Sequence, residues 1–140
     1  MKKTEELFHN CLYFTANSLA RKVTKMADES FKITGLSPSH AFLMMLVSDY
    51  PGIGPKQLGD HLNLAPSTVT RFVDTLIFKG YLTKTTQGKN TLIEITDQGK
   101  ALLEPIAAAW KHLFHRYSDI LGEANGRKLT REVDIASKKL

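Results

Sequence analysis

The chain is poor in cysteine and has no long apolar run. The single Cys11 excludes an intrachain disulfide and any multi-cysteine zinc site, as expected of a protein from a reducing cytoplasm. The longest apolar stretch, Ala41 to Val47, falls far short of the ~20 residues that a membrane-spanning helix requires. No secretory leader pattern opens the sequence, so a cytoplasmic protein without a membrane partner is expected. There is also no phosphate-binding glycine loop, no His and Glu pair at zinc-protease spacing and no nucleophile elbow. These absences argue against an enzyme and leave no cofactor or metal to expect. Acid is missing locally: from Lys79 to Ile93 there are three lysines (Lys79, Lys84, Lys89) and no Asp or Glu.

The chain has enough apolar residues to build one core. Its 140 residues, 42% hydrophobic and 24% charged, suit a single globular domain and not a disordered segment. A formal charge of +5 and a pI near 9.4 favour a polyanionic partner.

The most informative stretch is Pro66 to Gly80. Val69, Phe72, Val73 and Leu76 recur at i, i+3, i+4 and i+7, which places them on one buried face of a helix. The opposite face carries Ser67, Thr68, Thr70, Arg71 and Thr75, side chains that exchange hydrogen bonds but do not build a core. Pro66 suits the first turn and Gly80 the left-handed end. Upstream, Pro55 to Leu62 reads as a short helix, and only Asn63, Leu64 and Ala65 separate the two. Such a pair forms a helix-turn-helix, whose second helix fits a DNA major groove.

The remaining elements follow in order. Thr4 to about Ser30 is predicted as one long helix whose apolar stripe, widened by Phe8, Tyr13 and Phe14, needs more than one partner. Ser37 caps a helix running to about Tyr50, apolar all round in its middle and so central to the fold. Tyr81 to Thr86 and Thr91 to Thr96, joined by Gln87-Gly88-Lys89-Asn90, read as a β-hairpin, a wing from which Lys84 and Lys89 project. Thr96 caps a long helix with a kink expected near Pro105, since proline offers Ala101 no N–H. A break is expected at Gly122 and again at Asn125-Gly126, before a last amphipathic helix. The long aromatic and aliphatic face has too little chain left to cover it, which predicts a homodimer.

This order of elements resembles the MarR (multiple antibiotic resistance regulator) family of winged-helix transcription factors. The resemblance is carried by Gly35-Leu36-Ser37, by Leu58 to Leu64, by Ser67 to Asp74, by Lys79-Gly80-Tyr81-Leu82, and by Thr96 with Gly99. The expected fold is mainly α (α+β), a winged helix-turn-helix over 36–96 with its recognition helix at 66–79 and its wing at 81–96. Segments 4–33 and 97–140 would form the helical dimerisation region. The resemblance implies a repressor that binds a pseudo-palindromic operator in double-stranded DNA as a homodimer and is released by a small aromatic or phenolic effector. Three features depart from the family pattern: Ala65 at the cap of the reading helix, a short wing without an Asp-Arg-Arg run, and the Asn125-Gly126 pair.

On this reading Ser67, Thr68, Thr70, Arg71 and Thr75 face the bases, with Pro66 at the helix start, while Lys56, Lys84 and Lys89 neutralise phosphates. Tyr13, Phe14, Met45 and Trp110 are candidates to line an effector crevice. Two other readings compete. The winged helix could instead bind a protein partner, or Cys11 on the first helix could sense oxidants, as in some members of the family. His112, His115 and Asp119 share a helix face, but three such groups without a further ligand nearby read as a solvated surface and not as a metal site.

Overall fold

A computed structural model describes residues 2–140. The chain forms two compact units, one made of the chain up to Ser30 with Trp110–Leu140, the other of Phe31–Ala109.

The second unit carries the helix-turn-helix and wing. A 3-10 turn (Phe31–Thr34) leads to α3 (Pro38–Asp49), where Ser37 Oγ accepts the N–H of His40 at 3.2 Å and Pro38 occupies the first turn. Ala41, Leu43, Met44 and Val47 of α3 are buried, as its all-round apolarity requires. They share one core with Phe31, Leu58, Val69, Val73, Leu76, Leu82, Ile93 and Ile106. Truncating one of its large aliphatic members to alanine costs about 2–5 kcal/mol in such cores.

Helices α4 (Pro55–Leu62) and α5 (Pro66–Phe78) meet at Asn63, whose left-handed φ of 55° ends α4. Gly59 makes this turn possible. A Cβ there would sit 2.9 Å from the carbonyl oxygen of Leu64. Strands β1 (Leu82–Gln87) and β2 (Asn90–Ile95) pair antiparallel from Leu82↔Ile95 to Gln87↔Asn90, closed by Gly88 and Lys89. Gly88, with φ 61°, supplies the conformation that a two-residue hairpin loop demands at its first position. Ile53 adds a bridge to Ile93, which ties the wing to the start of α4.

Thr96 fastens the far end of the wing. Its Oγ1 donates to the carbonyl of Gly80 at 2.7 Å and accepts the N–H of Gly99 at 3.0 Å, capping α6 (Asp97–Lys100). The chain then breaks at Ala101-Leu102 and restarts as α7 (Leu103–Leu121), where the missing N–H of Pro105 predicts an interruption.

The first unit departs from expectation twice. The predicted helix from Thr4 to Ser30 is two helices, α1 (Lys3–His9) and α2 (Leu12–Ser30), separated at Asn10-Cys11. Phe8 stacks on Phe14 at 5.3 Å and His9 meets the same ring edge-on. Residues six apart point to different sides of a straight helix, so this aromatic cluster requires the bend. The Asn10 side chain stabilises it by donating to the carbonyl of Glu6 at 2.8 Å. The second correction concerns Asn125-Gly126, which do not break the chain. Gly122, with φ 86°, ends α7, and α8 runs unbroken over Glu123–Lys139. Gly126 lies buried beside Tyr117, so its lack of a side chain serves close packing and not a turn.

Within this unit Arg116 donates to the carbonyl of Met26 at 3.1 Å and pairs with Glu29 at 3.0 Å. Much apolar surface is nevertheless exposed. Leu12 and Ile120, for example, are 69% and 74% accessible.

Candidate nucleic-acid interface

Helix α5 divides its residues sharply. Val69, Val73 and Leu76 are buried, while Pro66, Ser67, Thr70 and Arg71 are exposed and Thr68 and Thr75 half-buried. The sequence places no capping side chain at Ala65, and the structure has none there. Pro66 has no N–H, and the N–H groups of Thr68 and Val69 both reach the carbonyl of Ala65, at 3.0 and 3.1 Å, which leaves the Ser67 N–H open at the helix start.

The hydroxyls on the outer face have distinct roles. Thr70 Oγ1 donates to the carbonyl of Pro66 at 3.1 Å, and Thr75 Oγ1 to that of Arg71 at 3.0 Å. Each has used its proton, so each presents lone pairs outward as an acceptor. Among the described residues the Ser67 and Thr68 hydroxyls have no partner and remain able to donate or accept. Arg71 pairs with no carboxylate among the described residues. Its guanidinium carbon lies 5.7 Å from the centre of the Phe72 ring. A shallow depression of about 520 Å³ runs along this face, bounded by Ser67, Thr70, Arg71, Asp74, Thr75 and Phe78.

The lysines are placed unequally. Lys56 on α4 and Lys89 at the hairpin tip are exposed. Lys84 instead meets Asp74 of α5 at 3.4 Å. The pair is largely solvated and so worth at most about 1 kcal/mol, weak enough for a phosphate to compete for the ammonium.

Two further residues at this surface were not singled out from the sequence. Phe78, at the end of α5, is 92% accessible, an unusual setting for a large aromatic. His40 of α3 stacks on Phe72 with ring centres 4.1 Å apart and planes at 27°. Partial burial lowers its pKa from the ordinary imidazole value, with the positive charges of Lys79 and Arg71 adding to the shift. A histidine three residues after a capping serine reads as ordinary first-turn sequence, and only the packing of α3 on α5 reveals the contact.

The effector candidates are spread over both units. Tyr13 is 78% accessible, Phe14 is engaged by Phe8 and His9, and Trp110 is about half exposed, all in the first unit. Met45, half-buried on α3, belongs to the second. Cys11 is exposed at the α1–α2 break, with its N–H bonded to the carbonyl of Phe8 at 3.1 Å. His112 lies 3.0 Å from Ser30 Oγ through Nδ1, and no group of three or more His, Cys, Asp or Glu converges as a metal site among the described residues. Nor is any described helix long and apolar enough to cross a membrane.

Comparison with known proteins converges on one family. The family model for MarR matches residues 36–90, from the start of α3 to the wing tip. The transcriptional repressor MdtR of Bacillus subtilis is 23% identical over 126 residues, covering 88% of this chain and 81% of that protein. The transcriptional regulator SarZ of Staphylococcus aureus is 25% identical over 139 residues, covering 92% of each. These relatives are regulators and not enzymes. Among solved structures, the repressor CouR bound to a 23-mer DNA duplex superposes with a TM-score of 0.86 at 18% identity, covering 98% of this chain and 99% of that one. CouR bound to p-coumaroyl-CoA gives 0.88 at 17% identity, covering 100% and 99%. The family model is thus seated on the helix-turn-helix and hairpin, relatives that are transcriptional regulators match along most of the chain, and this chain is similar to the MarR family of winged-helix proteins.

Proposed function

We infer that the protein is a sequence-specific DNA-binding transcriptional regulator, a repressor that acts as a homodimer on a pseudo-palindromic operator. The observation that carries this reading is the outer face of α5, where Ser67, Thr70 and Arg71 stand exposed while the apolar side of the same helix is sealed into the core. Arg71 would fork onto guanine, and the outward oxygens of Thr70 and Thr75 would accept from cytosine or adenine amines. Ser67 and Thr68 would complete the reading set at the start set by Pro66. Lys56, Lys84 and Lys89 would neutralise backbone phosphates. The DNA complex of CouR, similar in fold, supports the reading.

The dimer rests on the exposed apolar side chains of α1, α2, α7 and α8, which a second copy would bury. Segments 4–33 and 97–140 would then form the dimerisation region, with DNA binding confined to 36–96. Release by a small aromatic or phenolic ligand fits the acyl-CoA bound by CouR, and Tyr13, Phe14, Met45 and Trp110 remain the residues to vary. Oxidant release is the other route. An organic hydroperoxide would convert the exposed Cys11 thiol to a sulfenic acid and depart as the alcohol.

The deciding experiment is a fluorescence-anisotropy titration of the chain's own upstream DNA against a scrambled duplex, over a salt series. Tight, salt-sensitive binding to one short inverted repeat is expected, with a twofold assembly in sedimentation. Equal affinity for both duplexes, or a monomer at every concentration, would reject the reading. The second reading is a protein-docking winged helix, favoured by the bare ring of Phe78; it would be indicated by an absence of duplex binding.

A further inference from the structure

His40 stands in the first turn of α3, and its ring lies almost flat on Phe72 of α5, 4.1 Å away. The Arg71 guanidinium lies over the same ring at 5.7 Å, and Lys79, seven residues beyond Phe72, returns to that side of the helix. Three basic side chains from two elements therefore gather along the edge of α5 that carries Thr68 and Thr75. The half-buried imidazole has a defined orientation. Ser37 Oγ accepts the backbone N–H of His40 and is in hydrogen-bonding contact with Nδ1. If the serine hydroxyl donates to Nδ1, the neutral ring keeps its proton on Nε2.

The groups facing His40 make it responsive to an anion. Its burial disfavours the charged form, and the two charges acting on it, Lys79 and Arg71, are both positive. A phosphodiester brought to this edge offsets those charges and offers an acceptor to Nε2–H. The anion thereby raises the proton affinity of the ring, and by linkage the proton strengthens the hold on the anion.

We propose that His40 and Lys79, beside Arg71, form a backbone-phosphate site at the margin of the reading helix, and that the imidazole takes up a proton as the duplex docks. This rests on the DNA-binding reading but not on which bases are read. Arg71 stays free for a base while contributing its field.

The test is the salt dependence of binding at about pH 6 and about pH 8, using the upstream duplex and a scrambled duplex of equal length. For wild type, the slope of log affinity against log salt should be steeper by about 0.9 near pH 6, the equivalent of one phosphate neutralised. In the same window affinity should rise by up to about tenfold per pH unit of acidification. His40→Gln should show the shallow slope at both pH values, and His40→Arg, a permanent cation, a steep slope at both. Titration of the wild-type His40 ring by NMR, free and duplex-bound, reads the uptake without any variant. Inorganic phosphate in place of the duplex separates a backbone site from a site for free anions, and should move the ring's titration far less.

Duplex binding with a pH-independent slope, or pH dependence that survives in His40→Gln, would overturn the proposal and leave the regulator reading intact. Failure of wild type to bind either duplex at low salt would instead remove the regulator reading, and this site with it.

Discussion

Replacing Arg71 with alanine separates base reading from charge. The side chain is exposed, and its guanidinium lies over the Phe72 ring at 5.7 Å, a contact worth about 0.5–1 kcal/mol at such a site. Thermal stability should therefore change by no more than about 1 kcal/mol, because Val69, Val73 and Leu76 still seat the helix. A guanidinium forked onto guanine contributes about 1–3 kcal/mol of discrimination, so specific affinity should fall by about 5- to 150-fold. Affinity for a scrambled duplex should fall only by the share of one released counterion, with the salt slope reduced by at most about 0.9. Arg71→Lys sharpens the comparison. It keeps the charge but lacks the planar fork, so non-specific binding should match wild type while operator binding does not. Equal losses on both duplexes in Arg71→Ala, or wild-type operator affinity in Arg71→Lys, would show that Arg71 touches phosphate and that specificity lies elsewhere.

Other predictions test the supports of that face. Gly99→Ala would place a Cβ 2.3 Å from the backbone oxygen of Tyr81 and 2.8 Å from Ile95 Cγ1, and should cost about 1–3 kcal/mol or more; urea unfolding would measure it, and a neutral result would mean the wing root yields freely. Thr96→Val keeps the shape but loses both the cap on Gly99 and the bond to Gly80; a loss of about 1–2 kcal/mol is expected by thermal unfolding, with weaker DNA binding as the wing loosens. The depressed pKa of His40 means that the unfolded chain binds more protons than the native one between the native value and about 6.5. Stability without DNA should accordingly rise with pH through that window and fall on acidification, and denaturation of His40→Gln should lose this part of the dependence. Acid thus weakens the free fold and strengthens the DNA complex, two opposite trends assigned to one imidazole.

Much of this was legible in the residues because its causes are local. The buried stripe Val69, Val73, Leu76, the cap at Ser37, the proline starts at Pro38, Pro55 and Pro66, and the Gly88 turn each follow from spacing or backbone preference within a few residues. The interruption near Pro105 follows the same logic. The misreadings were also local rules, overruled by contacts. Thr4 to Ser30 has the period of a single helix, yet Phe8 finds Phe14 only when the chain bends at Asn10-Cys11. Asn125-Gly126 has the composition of a turn, yet the glycine packs against Tyr117 inside a helix.

The amino-acid order alone determined which helix turns a hydroxyl-and-arginine face away from the core, because burial periodicity depends only on spacing along one element. Tertiary structure decided which charges on that face are free: Lys84 is drawn to Asp74 ten residues away, and His40 is laid on Phe72 within the field of two cations. Pairings of this kind join residues that neither helical nor strand periodicity relates. They arise only when separate elements pack, so no reading of single segments contains them.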